Sequence, residues 1–141
     1  ARESVVFIAV WKGIGYNVIL FFAGLQGIPA DMYEAAEIDG ANKWQRFLSI
    51  TLPCLSPIIL YNLVMQTITA FMAFTQAFVI TQGGPNDATN FYALYVYNHA
   101  FKWSNMGYAS AMSWLMLVLI SVITLILFKS SKFWVFSEAD Q

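Results

Sequence analysis

Four stretches of this chain carry no Asp, Glu, Lys or Arg at all: residues 13–30, 47–86, 88–101 and 103–128, windows of 18, 40, 14 and 26 residues. A water-facing surface cannot be assembled from such stretches, whereas a hydrocarbon core ~30 Å thick asks for about 20 apolar residues per spanning helix. The composition agrees. Of 141 residues, 59% are hydrophobic and 11% charged, against roughly 25% charged in an ordinary soluble domain. In lipid every backbone N–H and C=O has to be satisfied within the segment, which makes helices the answer for isolated apolar runs of this length. The reading is an all-α, polytopic membrane helix bundle.

The spans can be placed. The first runs over about 5–28 and ends at Pro29; its Gly13, Gly15, Gly24 and Gly27 permit close helix contact in lipid. The stretch 29–54 is a polar interlude with six charges between Asp31 and Arg46. Apolar character resumes at Leu55 and holds to about residue 81, with Pro57 suited to a first helical turn. The turn cluster Gln82-Gly83-Gly84-Pro85-Asn86-Asp87 closes this second span. In the segment 82–107, Phe91, Leu94, Tyr95, Asn98 and Phe101 recur at helical spacing. That predicts a surface amphipathic helix with Tyr and Trp103 at headgroup depth. A third span of about 108–128 is followed by Lys129 and Lys132, which are expected to stop it.

Orientation follows from Lys and Arg. The loop 29–54 and the tail share a side and hold Lys43, Arg46, Lys129 and Lys132, against Arg2 and Lys102 opposite, so loop and C-terminus are expected in the cytoplasm. A net charge of −1 provides no basic face for nucleic acid. Cys54 is the single cysteine and pairs with nothing inside the chain. The chain begins Ala-Arg-Glu, and its first apolar run is too long for a signal-peptide core. It reads as a segment of a longer protein that lacks its N-terminal part.

The polar loop is the most informative stretch. Asp31 can cap a short helix with Glu34 three residues on, and Gly40 suits the left-handed residue that ends it. A second short helix, Asn42 to about Ile50, is expected to stop at Leu52-Pro53. Ala35 and Ala36 offer a small flat patch, while Ile38, Trp44 and Phe47 are too apolar for a free loop. Such a surface asks for a protein partner.

Glu34-Ala35-Ala36, three residues, Gly40, nine residues, then Ile50-Thr51-Leu52-Pro53 resembles the EAA loop of ABC importer permeases. Further stretches are similar to carbohydrate-uptake permeases of the maltose-transporter type. They are Trp11-Lys12-Gly13, Ala23 to Pro29, Asp39-Gly40-Ala41, Gln82 to Pro85 and Phe101 through Gly107 to Ala111. The resemblance covers nearly the whole chain and implies roughly the C-terminal half of a six-helix-core permease in a bacterial or archaeal cytoplasmic membrane. It implies four kinds of neighbour: a second permease subunit, cytoplasmic ATP-binding subunits, an extracellular or periplasmic substrate-binding protein, and the lipid bilayer. Glu34, Ala35, Ala36, Asp39, Gly40, Ile50, Leu52 and Pro53 would then form the ATPase-coupling loop. Capping alone would account for Glu34 and Gly40, but not for Ala-Ala beside exposed Ile and Trp.

On one continuous helix, Asn62, Gln66, Thr69, Ala73 and Gln76 share a face. Polar groups in lipid are costly unless they face protein or water, so this stripe faces inward, either bonding neighbouring helices or lining a pathway. The resemblance places sugar contacts at the stretch of Ala9, Lys12, Gly13 and Tyr16, and at Gln66, Ala70 and Ala73. The small Ala9, Ala70 and Ala73 stand where polar groups are expected, which implies a wider site or one mostly in the partner permease. Lys12, the one charge inside a span, has two readings: its stem snorkels outward, or it meets an anionic or hydroxyl-rich substrate.

His99 and Cys54, 45 positions apart, cannot make a metal site without other groups. No G-x-x-x-x-G-K-[ST] loop is present, nor any intramembrane carboxylate pair, H-E-x-x-H or Ser–His pair. The chain therefore reads as a transport subunit without a cofactor or chemistry of its own. Two alternatives remain: a permease for glycerol phosphate or an acidic oligosaccharide, and a membrane scaffold whose loop only docks a cytoplasmic partner.

Overall fold

The structure, a computed structural model, describes residues 2–135. Every element among them is helical: α1 (Arg2–Gln26), α2 (Ala30–Ile38), α3 (Lys43–Arg46), α4 (Leu52–Phe71), α5 (Tyr92–Tyr97) and α6 (Met106–Trp134). Widened turns with five-residue hydrogen bonding lie at Phe47–Thr51, Ala77–Thr81 and Asn98–Lys102. The first of these fuses α3 to α4, so that Lys43–Phe71 is one helical run. Three helices are long and apolar enough to cross a membrane: Arg2–Gln26, Lys43–Phe71 and Met106–Trp134. The 25 residues of α1 extend about 37 Å. The chain is multi-pass, and its C-terminus, expected on the side of the loop, lies outside the described residues.

Several local expectations are corrected, the stop at Lys129 and Lys132 among them. The second loop helix does not stop at Leu52-Pro53. In the widened turn the Leu52 N–H reaches back to the Phe47 carbonyl, and this wider coil takes in Pro53 and continues. Pro57 lies inside α4 rather than in a first turn, and its missing N–H leaves the Pro53 carbonyl without its helical donor. The Ser56 hydroxyl donates to that carbonyl at 2.6 Å, and Ser56 is buried. Sequence rules count a proline as a stop; here a serine one position before the proline keeps the helix bonded.

The second correction concerns the far end of the same span. α4 ends at Phe71 rather than near residue 81, and a short helical piece resumes at 75. Thr67 and Thr69 hydroxyls bond back to the Leu63 and Met65 carbonyls at 2.7 and 2.8 Å, a pattern that bends helices. Beyond the break, Phe74 and Phe78 pack on Tyr97 of α5 with ring centroids 5.0 and 5.2 Å away. Aromatic packing onto α5 thus holds residues 74–78, and unbroken hydropathy hides the break.

The third concerns the segment 82–107. α5 buries Leu94 almost fully, yet Phe101, expected on the same face, is 66% exposed. The widened turn after Tyr97 shifts the helical phase and swings Phe101 outward, where it packs on Tyr97 at 5.1 Å. At the other end of the chain, α6 continues through Lys129 and Lys132 to Trp134. Both cations sit in its last turns, where they complement the helix dipole and extend toward water.

α4 touches both other long helices, while α5 packs on α6. Gly24 is the close approach between α1 and α4: a Cβ there would run into the Ile58 Cδ1 atom and lie 2.9 Å from Leu55 Cδ2. Gly15 faces open space within 4 Å and Gly40 ends a helix, so the glycines are not interchangeable. Gly24→Val is expected to lower the thermal midpoint of the purified protein in detergent. Adding Ile58→Ala should recover part of the loss by opening the space. An unchanged midpoint for Gly24→Val contradicts this helix contact.

Candidate coupling loop and substrate pathway

The loop geometry is built from two helix ends that face each other. α2 begins after Pro29 with no side-chain cap, so Asp31 and Glu34 do not form the expected capping box. Asp31 lies in the first turn, where its charge complements the helix dipole. At the other end Gly40 has φ +78°. The Gly40 N–H bonds to the Glu37 carbonyl at 3.0 Å and the Ala41 N–H to the Ala36 carbonyl at 2.9 Å. Together these bonds make the paired closure that only a left-handed residue permits. Two residues on, Asn42 and Gln45 exchange a reciprocal capping box at 2.8 and 2.9 Å that starts α3. The turn between the helices is therefore bonded on both flanks.

Two side-chain contacts then fasten α2 to the run Lys43–Phe71. The Tyr33 hydroxyl lies 2.6 Å from Thr51 Oγ1, a contact that buries Thr51. Arg46 Nη1 pairs with Glu37 Oε2 at 3.0 Å, the one ion pair among the described residues. Such a part-buried hydrogen bond is worth about 0.5–1.5 kcal/mol net, and an ion pair this exposed about 0.2–1 kcal/mol. Neither contact was foreseen. Tyr33–Thr51 spans 18 positions and depends on a fused helix that the sequence reading ended too early.

The opposite side of the loop faces outward. Glu34, Ala35 and Asp39 are exposed, and Glu34 makes no ion pair among the described residues. Ile38 is 86% exposed and Trp44 74%, while Trp44 and Phe47 meet edge to face at 6.2 Å. Ala36 is half-buried, Ile50 is buried at the base, and Leu52 and Pro53 lie where the helix enters the apolar run. An apolar and acidic surface of this kind, on a bonded frame, suits a protein partner.

The pathway candidates divide. Asn17 Nδ2 donates to the Gly13 carbonyl at 2.9 Å, and Gln66 Nε2 donates across to Asn17 Oδ1 at 3.3 Å. Gly13 and Gln66 are therefore brought together through Asn17, a residue that its polarity within the first apolar run should have flagged. Tyr16 lies beside Tyr61. Asn62 is half-buried with its side-chain oxygen unbonded, and Thr69 gives its proton to its own helix. Ala70 closes α4, but the break after Phe71 takes Ala73 and Gln76 off its axis, so the five-residue stripe is not one face. Lys12 is exposed and has no ion-pair partner among the described residues.

At the end of the molecule away from the loop, the His99 ring is enclosed by Tyr95, Trp103 and Tyr108 at 4.4, 4.6 and 4.7 Å. Burial, reinforced by the neighbouring Tyr108, pushes the Tyr95 hydroxyl up from its ordinary pKa. Thr89 is fully buried, bonded to Thr81 and to the Gly84 carbonyl, and ties the 82–87 turn together. Among the described residues no three of His, Cys, Asp and Glu gather at one place.

Residues 2–133 match the family model described as the binding-protein-dependent transport system inner membrane component. A probable ABC transporter permease protein of Bacillus subtilis is 52% identical over the whole chain, which covers 46% of that protein. A multiple sugar-binding transport system permease of Streptococcus mutans is 41% identical, over 90% of this chain and 44% of that one. A trehalose/maltose transport system permease of Thermococcus litoralis is also 41% identical, over 92% of this chain and 44% of the relative. The chain thus spans less than half the length of these relatives. A crystal structure of a bacterial ABC transporter involved in import of the acidic polysaccharide alginate superposes with a TM-score of 0.77 at 27% identity. That match covers 88% of this chain and 44% of the other.

A β-branched residue at the left-handed Gly40 costs about 1–3 kcal/mol, although a Cβ there would meet nothing within 4 Å. Gly40→Val should therefore loosen the loop and speed tryptic cleavage after Lys43 and Arg46 by about tenfold, while Gly40→Asn, which tolerates that backbone, changes it little. Equal cleavage of the wild type and the valine variant contradicts this loop geometry.

Proposed function

Since the chain belongs to the family of binding-protein-dependent transport system inner membrane components, we propose that it is part of a permease subunit of an ATP-driven ABC importer. Its substrate is a sugar or oligosaccharide, as the names of the relatives from Streptococcus mutans and Thermococcus litoralis suggest. ATP is hydrolysed on separate cytoplasmic subunits, a second permease subunit completes the pathway, and an external binding protein delivers substrate. The loop 29–54 lies in the cytoplasm.

The observation that carries this reading is the loop. Glu34, Ala35, Ile38 and Trp44 are exposed on a frame bonded at Gly40 and Asn42, and that frame is fused to a helix of spanning length. Closure of an ATPase under α2 would move α4, and α4 carries Gln66 against Asn17 of α1. The polar residues Asn17, Gln66 and Asn62, with Tyr16 and Lys12, line the substrate route on this reading. Alternation between outward and inward access then follows from a differential affinity of ATP for the two global states.

A second reading, an acidic oligosaccharide as substrate, is favoured by Lys12, which is exposed without an ion-pair partner, and by the alginate-importing structural neighbour.

Glu34 decides between coupling and packing. Glu34→Gln keeps shape and helix propensity, so a purely structural residue tolerates it. With the complete importer in proteoliposomes, the variant is expected to insert normally but to show weakened substrate-stimulated ATPase and uptake. Competition by neutral against uronic-acid oligosaccharides in the same assay separates the two substrate readings. Unchanged ATPase recovery and stimulation in Glu34→Gln removes the charged contact from the account.

A further inference from the structure

α2 is joined to the spanning helix by more than its connecting turn. Tyr33 and Glu37 lie four positions apart on α2, one helical turn, and so share a face. Tyr33 meets Thr51 at 2.6 Å and Glu37 meets Arg46 at 3.0 Å. Their partners sit at the two ends of the widened turn, five positions apart on the fused helix. One such contact would be a pivot about which α2 could swing. Two contacts a helical turn apart fix its angle.

The widened turn is where rigidity would otherwise be lost. Its hydrogen bonds reach five residues instead of four, and Pro53 at its exit donates none. A force applied to α2 would flex the helix there before reaching α4. The Tyr33 and Glu37 contacts bridge this weak point from outside. Three of the four side chains lie toward the inner side of the loop: Thr51 is buried, Tyr33 half-buried and the Arg46 side chain 21% exposed, while the 70% exposed Glu37 reaches inward to Arg46; Glu34, Ala35, Ile38 and Trp44 face outward.

We propose that Tyr33–Thr51 and Glu37–Arg46 are a two-point brace that makes α2 and the foot of α4 a single lever, so that these four are positioning residues for coupling and not ATPase contacts. The proposal rests on the coupling function set out above and adds the residues that transmit it. Loss of the brace leaves docking intact and wastes ATP.

The test uses the complete importer with Cys54 replaced by serine. Nitroxide labels at Met32 and Leu48, both exposed, report the angle between α2 and the widened turn by pulsed electron paramagnetic resonance. The brace is removed by Tyr33→Phe, which keeps the ring, combined with Arg46→Gln; Thr51→Val provides a second route to losing the hydroxyl contact. The expected result has three parts: a broader label distance, wild-type recovery of the ATPase subunits, and several-fold less substrate carried per ATP hydrolysed. The charge exchange Glu37→Arg with Arg46→Glu should restore transport per ATP relative to either reversal alone. Normal transport per ATP in the brace-free variant overturns the proposal whatever the distance shows. Loss of ATPase recovery with an unchanged distance also overturns it, because these residues would then be docking contacts. Failure of the underlying coupling function shows itself elsewhere, as absence of cross-linking between a cysteine at Ala35 and the ATPase in the otherwise wild-type protein.

Discussion

The Pro53 carbonyl has lost its helical donor to Pro57, and the fold depends on where that hydrogen bond is replaced. In an apolar setting an unsatisfied carbonyl costs several kcal/mol or draws the chain out of the helix. Ser56 supplies the missing donor at 2.6 Å, and the widened turn Phe47–Thr51 absorbs Pro53 itself. With both prolines accommodated, the loop's second helix and the membrane-length helix become one body, Lys43–Phe71. Without that continuity the outward face of α2 would be attached to the long helices only by flexible chain.

Polar groups elsewhere are used in the same way. Thr67, Thr69, Ser110 and Ser113 spend their hydroxyl protons on carbonyls of their own helices. Between α1 and α4 the link is an amide pair: Gln66 reaches Asn17, and Asn17 bonds back to Gly13 of its own helix. Small residues let the helices approach, and Gly24 against Ile58 and Leu55 is such a close approach between α1 and α4. The two ends of the molecule differ in kind. The loop end is fixed by hydrogen bonds and an ion pair, while the far end is fixed by rings around Tyr97 and His99.

Much of this was legible in the sequence because charge exclusion over tens of residues has few structural solutions. The all-α class, three long apolar helices and the left-handed Gly40 follow from local chemistry. The fused helix did not, because reading Pro53 as a stop ignores the widened turn that takes it in, and what Ser56 donates past Pro57. The break after Phe71 was invisible because Phe74 and Phe78 leave the helix axis for a packing partner in α5, and hydropathy does not record direction. Tyr33 is hidden for a related reason: it acts through Thr51, distant in sequence, whose position depends on the tertiary arrangement.

On the proposed function, movement of the loop reaches α4 and changes which side of the membrane its polar residues see. Single cysteines at Gln66, Thr69 and Leu63, in a background without Cys54, test it most directly through their rate of reaction with a charged thiol reagent. The reaction is followed in the complete importer with and without a non-hydrolysable ATP analogue. The account predicts that positions 66 and 69 react and that the analogue changes their rates, while position 63 stays slow in both states. Equal labelling of all three, or rates at 66 and 69 that ignore the nucleotide, would show that α4 packs helices together and that the loop does not move a pathway.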